Sequence, residues 1–229
     1  MNPEQVLARL WQERAVAIIR TEAQETAHRA MESAVRGGFR MVEFTLGCPG
    51  AYELIAEWSK RDEITVGVGT VLEPRQAKRA VEAGARFVVS PVTDEAVIAT
   101  SLDLGVAVMP GAGTATEMAR AHKAGAHLQK LFPAPANGPD FVRTLLGPLP
   151  FLRLVPTSGV RIDNVAAWFA AGVFGVGFVS SLFDPDDLRR GDFDAIEERA
   201  LGCIAATRAS DRPAGAKYTV PERREPTIP

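Results

Sequence analysis

Eight short apolar runs, each followed by a stretch of helical periodicity, recur from one end of the chain to the other. No other pattern narrows the choice of fold as much. The runs are AVAIIR (15–20), MVEFTL (41–46), ITVGVGT (64–70), FVVSP (87–91), VAVMPG (106–111), HLQKLFP (127–133), FLRLVPTS (151–158) and GVGFVSS (175–181). They are rich in β-branched residues and alternate only weakly, as parallel strands covered on both faces do. Between them, stretches such as EAQETAHRAMESAVRGG and PRQAKRAVEAG set apolar residues three and four apart among Ala, Glu, Lys and Arg, the spacing of amphipathic helices.

The punctuation agrees with this reading. Gly38, Gly84, Gly105, Gly125 and Gly172 each fall after a helical run and before a strand, where a left-handed cap is needed. Thr93 before Asp94-Glu95, Thr114 three residues before Glu117, and Pro74 mark helix starts. Eight strand–helix units are the number that closes a (β/α)8 TIM barrel, whereas an open doubly wound sheet rarely has eight units in succession without a hairpin. The expectation is an α/β barrel with an N-terminal helix, forming one domain over residues 1–210. After a last helix, DFDAIEERALGCIAATRAS, four prolines and mixed charges in residues 211–229 forbid a regular element. This tail is disordered or an extended arm, with Tyr218, Val220 and Ile228 available to bury.

Charge and cysteine content exclude several functional classes. Charged residues make up 24% of the 229 and sum to a net charge of −2. They are interspersed rather than blocked, which argues against a broad nucleic-acid footprint. Cys48 and Cys203 are too few for a disulfide framework, the N-terminus lacks a signal-peptide core, and no apolar run reaches the roughly 20 residues of a membrane helix. A cytoplasmic protein with neither nucleic acid nor membrane as partner is expected. His28, His122 and His127 show no metal-ligand spacing, and neither a P-loop nor a G-x-S-x-G elbow is present.

Barrels place activity at the C-terminal ends of their strands, so polar residues there are the candidates. Lys130 lies inside the apolar run HLQKLFP. It either snorkels to the rim or pairs with a carboxylate, or it is a desolvated amine of the kind that forms Schiff bases. Glu43 in MVEFTL is either a structural ion-pair partner or a proton shuttle for Lys130. Arg20 caps the barrel edge or clamps a carboxylate. Thr70 ends a strand in which Gly67 and Gly69 leave space for packing or for a ligand. Thr157, Ser158, Gly159, Ser180 and Ser181, on the last two strand ends, occupy the usual phosphate-binding place of a barrel.

In order along the chain, AIIR, VEFTL, GVGTVL, VVSP, MPGAGTATE, QKLFPAPANGP and PTSGV resemble the 2-keto-3-deoxy-6-phosphogluconate aldolase family. That class I group also holds 6-phosphogalactonate and 4-hydroxy-2-oxoglutarate enzymes, and the resemblance spans about residues 12–208. It implies an aldehyde-lyase of Entner–Doudoroff type that needs no cofactor or metal, assembles as a homotrimer and releases pyruvate from a small keto acid. On that pattern Lys130 forms the Schiff base and Glu43 moves protons. Arg20 and Thr70 lie near the pyruvate carboxylate, and Pro91 and Phe132 line the pocket. The segments Thr157–Val160 and Ser180–Ser181 hold the sugar-phosphate end. The implied reaction cleaves a 2-keto-3-deoxy-6-phospho sugar acid to pyruvate and D-glyceraldehyde 3-phosphate. The alternatives are an unphosphorylated 2-keto-4-hydroxy acid such as 4-hydroxy-2-oxoglutarate, or a non-catalytic keto-acid-binding barrel. Three departures bear on substrate. Gly47 stands where phosphogluconate-specific members often carry arginine, while Arg20 is kept as in phosphogalactonate-type members. Ser158 and Val179 each replace one glycine of the pairs common at the phosphate end, which narrows the cradle or adds a hydroxyl donor.

Overall fold

A computed structural model describes residues 1–218. All observed strand pairs are parallel. The strands are β1 (Ala15–Ile19), β2 (Met41–Thr45), β3 (Thr65–Gly69), β4 (Phe87–Val89), β5 (Ala107–Met109), β6 (Gly111–Ala112), β7 (Gln129–Leu131), β8 (Leu154–Pro156) and β9 (Val176–Phe178). The helices are α1 (Pro3–Glu13), α2 (Gln24–Arg36), α3 (Ala51–Trp58), α4 (Pro74–Glu82), α5 (Glu95–Asp103), α6 (Ala115–Lys123), α7 (Gly138–Leu146), α8 (Val165–Ala170), α9 (Pro185–Arg190) and α10 (Phe193–Ala209). The strands run β5-β4-β3-β2-β1-β9 in one sheet and β6-β7-β8 in another.

The two sheets are arcs of one barrel. The fifth apolar run is split by Pro110, which has no N–H to give to a ladder. The chain therefore changes partner across it: β5 pairs with β4 and β6 with β7, while the Pro110 carbonyl accepts the Lys130 N–H at 2.9 Å. On the other side the Phe174 N–H donates to the Leu154 carbonyl at 2.9 Å, bringing the entry to β9 against β8.

Every residue of β1, β2 and β3 is buried, because each strand has two covered faces. Ala17, Ile19, Val42, Phe44, Val66 and Val68 pack outward against helices, among them Met31 of α2, Trp58 of α3 and Ile204 of α10. Val16, Ile18, Met41, Phe87, Val89, Met109, Leu128 and Val155 fill the interior. Val6, Leu7 and Leu10 of α1 join that interior cluster and plug the N-terminal end. Burying each such side chain contributes about 1.5–3 kcal/mol.

All five helix-ending glycines adopt the left-handed conformation expected of them, with φ from +68° to +108°. The capping box at Thr114–Glu117 and Pro74 in the first turn of α4 also form as expected. Thr93 does not cap α5. Asp94 takes that place by accepting the Val97 N–H at 2.9 Å, and the Thr93 hydroxyl instead donates to the Gly111 carbonyl at 2.9 Å, tying the ends of β4 and β6 together.

The first residues of the tail lie against the plugged end as an irregular arm. The Arg212 guanidinium stacks 3.5 Å from the Trp11 ring and donates to the Trp11 and Phe174 carbonyls; burial lowers its pKa to about 10. The Tyr218 hydroxyl donates to Glu4 at 2.6 Å, and its ring packs on Trp11 and Phe174. Val220 and Ile228 lie outside the described residues. Among the described residues no helix is long and apolar enough to cross a membrane.

Inside the barrel Gly67 faces Phe87, and a Cβ at position 67 would collide with that ring. Gly67→Ala is expected to cost about 1–3 kcal/mol as overpacking, read as a lower urea midpoint. Phe87→Leu introduced alongside it should recover part of the loss.

Candidate active site

A cavity of about 490 Å³ opens at the C-terminal ends of the strands. It gathers Ile18 of β1 and Arg20 just after it, Thr45 of β2, Thr70 after β3, Pro91 after β4, Lys130 of β7 and Phe132 just after it, Thr157–Arg161 after β8, and Val179, Ser180 and Ser181 after β9. Every substrate-contact residue expected from the sequence lines it, together with Lys130. Glu43 lies on the same face of β2 as Thr45, one layer deeper, in register with Ile18 and Gly67.

Glu43 is fully buried, and neither carboxylate oxygen has a hydrogen-bond partner among the described residues. Its slot exists because Gly69, across the ladder, has no side chain; a Cβ there would collide with Oε1. Burial pushes the Glu43 carboxyl above the ordinary carboxylate range, against the opposing pull of the positive charges on Lys130 and Arg20. A buried, unpartnered carboxylate is costly, and such groups concentrate at functional sites.

Lys130 is partly buried and stands between Gly111 and Val155 in the ladders. Its Nζ lies 5.3 Å from the centre of the Phe132 ring, and it makes no ion pair among the described residues. The expected meeting of Lys130 and Glu43 thus takes the form of electrostatic proximity, not a direct bond.

Arg20 is exposed at the rim and donates to the Thr70 hydroxyl at 3.4 Å. Thr70 has φ +62°, a conformation that a β-branched residue adopts only under constraint. Such strain costs on the order of 1–3 kcal/mol and gathers at ligand sites. Gly47 faces open space, with no atom within 4 Å of a Cβ built there, so an arginine at that position would meet no obstruction at its root.

At the opposite wall, the N–H groups of Ser158, Gly159, Val160, Ser180 and Ser181 have no acceptor among the described residues. The Thr157 hydroxyl is likewise buried without a partner. Val179 contributes its side chain to this wall. Sequence reasoning missed Ile18, Thr45 and Arg161 as lining residues. Strand alternation from Glu43 would have found Thr45, whereas nothing before the fold was known distinguished Arg161 from other loop arginines. His28 and His127 are held elsewhere, accepting from the Trp58 indole and the Val108 N–H respectively.

A model of the family described as KDPG and KHG aldolase matches residues 6–199. The chain belongs to this family. It is therefore an aldehyde-lyase of the KDPG aldolase kind. It is 36% identical over 159 residues to the 2-dehydro-3-deoxy-phosphogluconate aldolase of Treponema pallidum (strain Nichols), covering 69% of this chain and 76% of that one. It is 33% identical over 171 residues to the 2-dehydro-3-deoxy-6-phosphogalactonate aldolase of Escherichia coli (strain K12), covering 73% and 83%. The crystal structure of the 2-keto-3-deoxy-6-phosphogluconate aldolase of Zymomonas mobilis ZM4 with 3-phosphoglycerate superposes with a TM-score of 0.78 at 25% identity, covering 93% of this chain and all of that one.

The raised pKa of Glu43 has a consequence for aldolase stability. A carboxyl that holds its proton more tightly when folded stabilises the fold fully below its unfolded pKa, and that contribution is lost as pH rises through the folded value. Glu43→Gln should therefore raise the urea midpoint over wild type by an amount that grows as pH rises above the ordinary carboxylate range. A gain independent of pH would assign the effect to something other than charge burial.

Proposed function

We propose that this family member is a class I aldolase that cleaves a 2-keto-3-deoxy-6-phospho sugar acid to pyruvate and D-glyceraldehyde 3-phosphate through a Schiff base on Lys130. The observation that carries this reading is an amine lining the cavity, Lys130, above a fully buried carboxylate one layer deeper, Glu43, neither with an ion-pair or hydrogen-bond partner among the described residues, and with the lysine charge acting on the carboxylate.

The neutral amine of Lys130 attacks C2, and loss of water leaves an iminium that draws electrons from C3. Glu43, directly or through one water, accepts the C4 hydroxyl proton as the C3–C4 bond breaks. The aldehyde departs and an enamine of pyruvate remains. Protonation at C3 and hydrolysis of the imine then return the lysine. The iminium is the electron sink in this scheme, so the lysine does the work a Lewis acid does elsewhere. Arg20, steadied by Thr70, is suited to fork the C1 carboxylate. Pro91 and Phe132 form apolar walls. Thr157, Ser158, Gly159, Val160, Ser180 and Ser181 offer N–H and hydroxyl donors to the distal end. The co-structure of the Zymomonas relative with 3-phosphoglycerate supports a phosphorylated substrate. A homotrimer is part of the proposal.

A second reading, cleavage of 4-hydroxy-2-oxoglutarate to pyruvate and glyoxylate, is favoured by the Val179 side chain and by Ser158 at the distal wall. Competitive inhibition by inorganic phosphate distinguishes the two, being expected only for the phosphorylated substrate.

Incubation with pyruvate and borohydride is expected to leave a reduced adduct on the peptide carrying Lys130. An adduct elsewhere, or none beside a labelled control aldolase, refutes the reading. Lys130→Ala should abolish turnover. Glu43→Gln should still trap pyruvate while losing cleavage by about 10²–10⁴-fold, the usual size of a general acid–base contribution.

A further inference from the structure

Arg161 carries the one cation that the distal wall presents to the cavity among the described residues, and its root is held unusually firmly. The Asn164 side-chain oxygen accepts the Arg161 N–H at 2.8 Å, and the Asn164 amide donates to the Gly159 carbonyl at 2.8 Å. One side chain thus staples the turn 159–161 at both ends, with Gly159 at φ +72°. The guanidinium forks Asp163 through Nε at 3.0 Å and Nη2 at 3.1 Å, leaving Nη1 with no acceptor among the described residues. Both partners of that ion pair are more than half exposed, so exchanging Asp163 for another anion costs little.

We propose that Arg161 is a specificity-determining residue that selects a dianionic phosphate at the far end of the substrate; this rests on the aldolase reading above. Two arginines then bracket Lys130. Arg20 sits at the end of β1 beside Thr70, and Arg161 sits on the turn after β8 beside the free N–H groups of Ser158, Gly159 and Val160. A phosphate placed there accepts from those backbone groups and from Nη1 together. Val179 and Ser158 take space that bare backbone would leave open, so recognition of the anion passes in part from backbone to this side chain. A dianion gains more from a guanidinium than an uncharged hydroxymethyl group does, which makes the residue a charge discriminator rather than a general binder.

The test is kcat and KM for 2-keto-3-deoxy-6-phosphogluconate and for its unphosphorylated counterpart, with wild type, Arg161→Ala, Arg161→Lys and Arg143→Ala. Arg143 is an exposed arginine ion-paired to Asp140 on α7 and serves as the charge control. Arg161→Ala should lower the ratio of kcat/KM for phosphorylated over unphosphorylated acid about tenfold, chiefly through KM of the phosphorylated acid. Arg161→Lys should recover part of that ratio, and Arg143→Ala should leave it unmoved. An unchanged ratio in Arg161→Ala, an equal loss on both acids, or an equal fall in Arg143→Ala overturns the proposal. Pyruvate trapping on the same preparations separates the two levels. A wild type that traps no pyruvate refutes the aldolase reading itself, whereas one that traps pyruvate without preferring the phosphorylated acid refutes only the role of Arg161.

Discussion

A carboxylate enclosed in an apolar barrel without a hydrogen-bond donor among the described residues is the constraint on which this site depends. Glu43 is tolerable there only because the interior is arranged around it. Gly69 clears its slot, the β1–β2–β3 register sets Ile18 and Gly67 at its sides, and the positive charges of Lys130 and Arg20 act on it through a medium that screens poorly. Move the register by one residue and the carboxylate would face the helices, where Val42 and Phe44 now pack.

The two ends of the barrel divide the work. At the N-terminal end α1 inserts Val6, Leu7 and Leu10, and the arm after α10 lays Arg212 and Tyr218 across it, so the barrel interior is plugged there and the arm tied down. At the C-terminal end the strands finish in loops whose polar groups find no partner among the described residues: the Thr157 hydroxyl, the N–H groups of the 158–160 turn, and Glu43 beneath. Thr70 holds a left-handed backbone at that same end. Arg14, entering β1 at the plugged end, shares that conformation at φ +69°, so what sets the open end apart is the convergence of Thr70, Glu43 and the Thr157 hydroxyl around one cavity.

Much of this was legible in the residues because it is local. Glycines after helices, the Thr114–Glu117 box and the doubly covered strands each follow from backbone sterics and hydrophobic periodicity acting within a few residues. Lys130 and Glu43 could be singled out because a charge inside an apolar strand contradicts its surroundings. Thr93 was misassigned as a cap because Asp94 beside it is an equally good acceptor, and the choice was made by the Gly111 carbonyl 18 residues away. The break at Pro110 was hidden for a similar reason: whether a proline interrupts a strand depends on which neighbour its missing N–H would have served.

By itself, then, the sequence determined that eight strand–helix units would close around a core, which residues would be anomalous within it, and which family the motif order resembles. Only the tertiary structure decided that Glu43 and Lys130 are coupled without touching, that Arg20 leans on Thr70, and that Arg161 faces the same cavity from a stapled turn. The reason is physical. Periodicity and capping are set by contacts between near neighbours in the chain, whereas a site assembled from the ends of seven strand runs is set by barrel closure and register, which no single segment encodes.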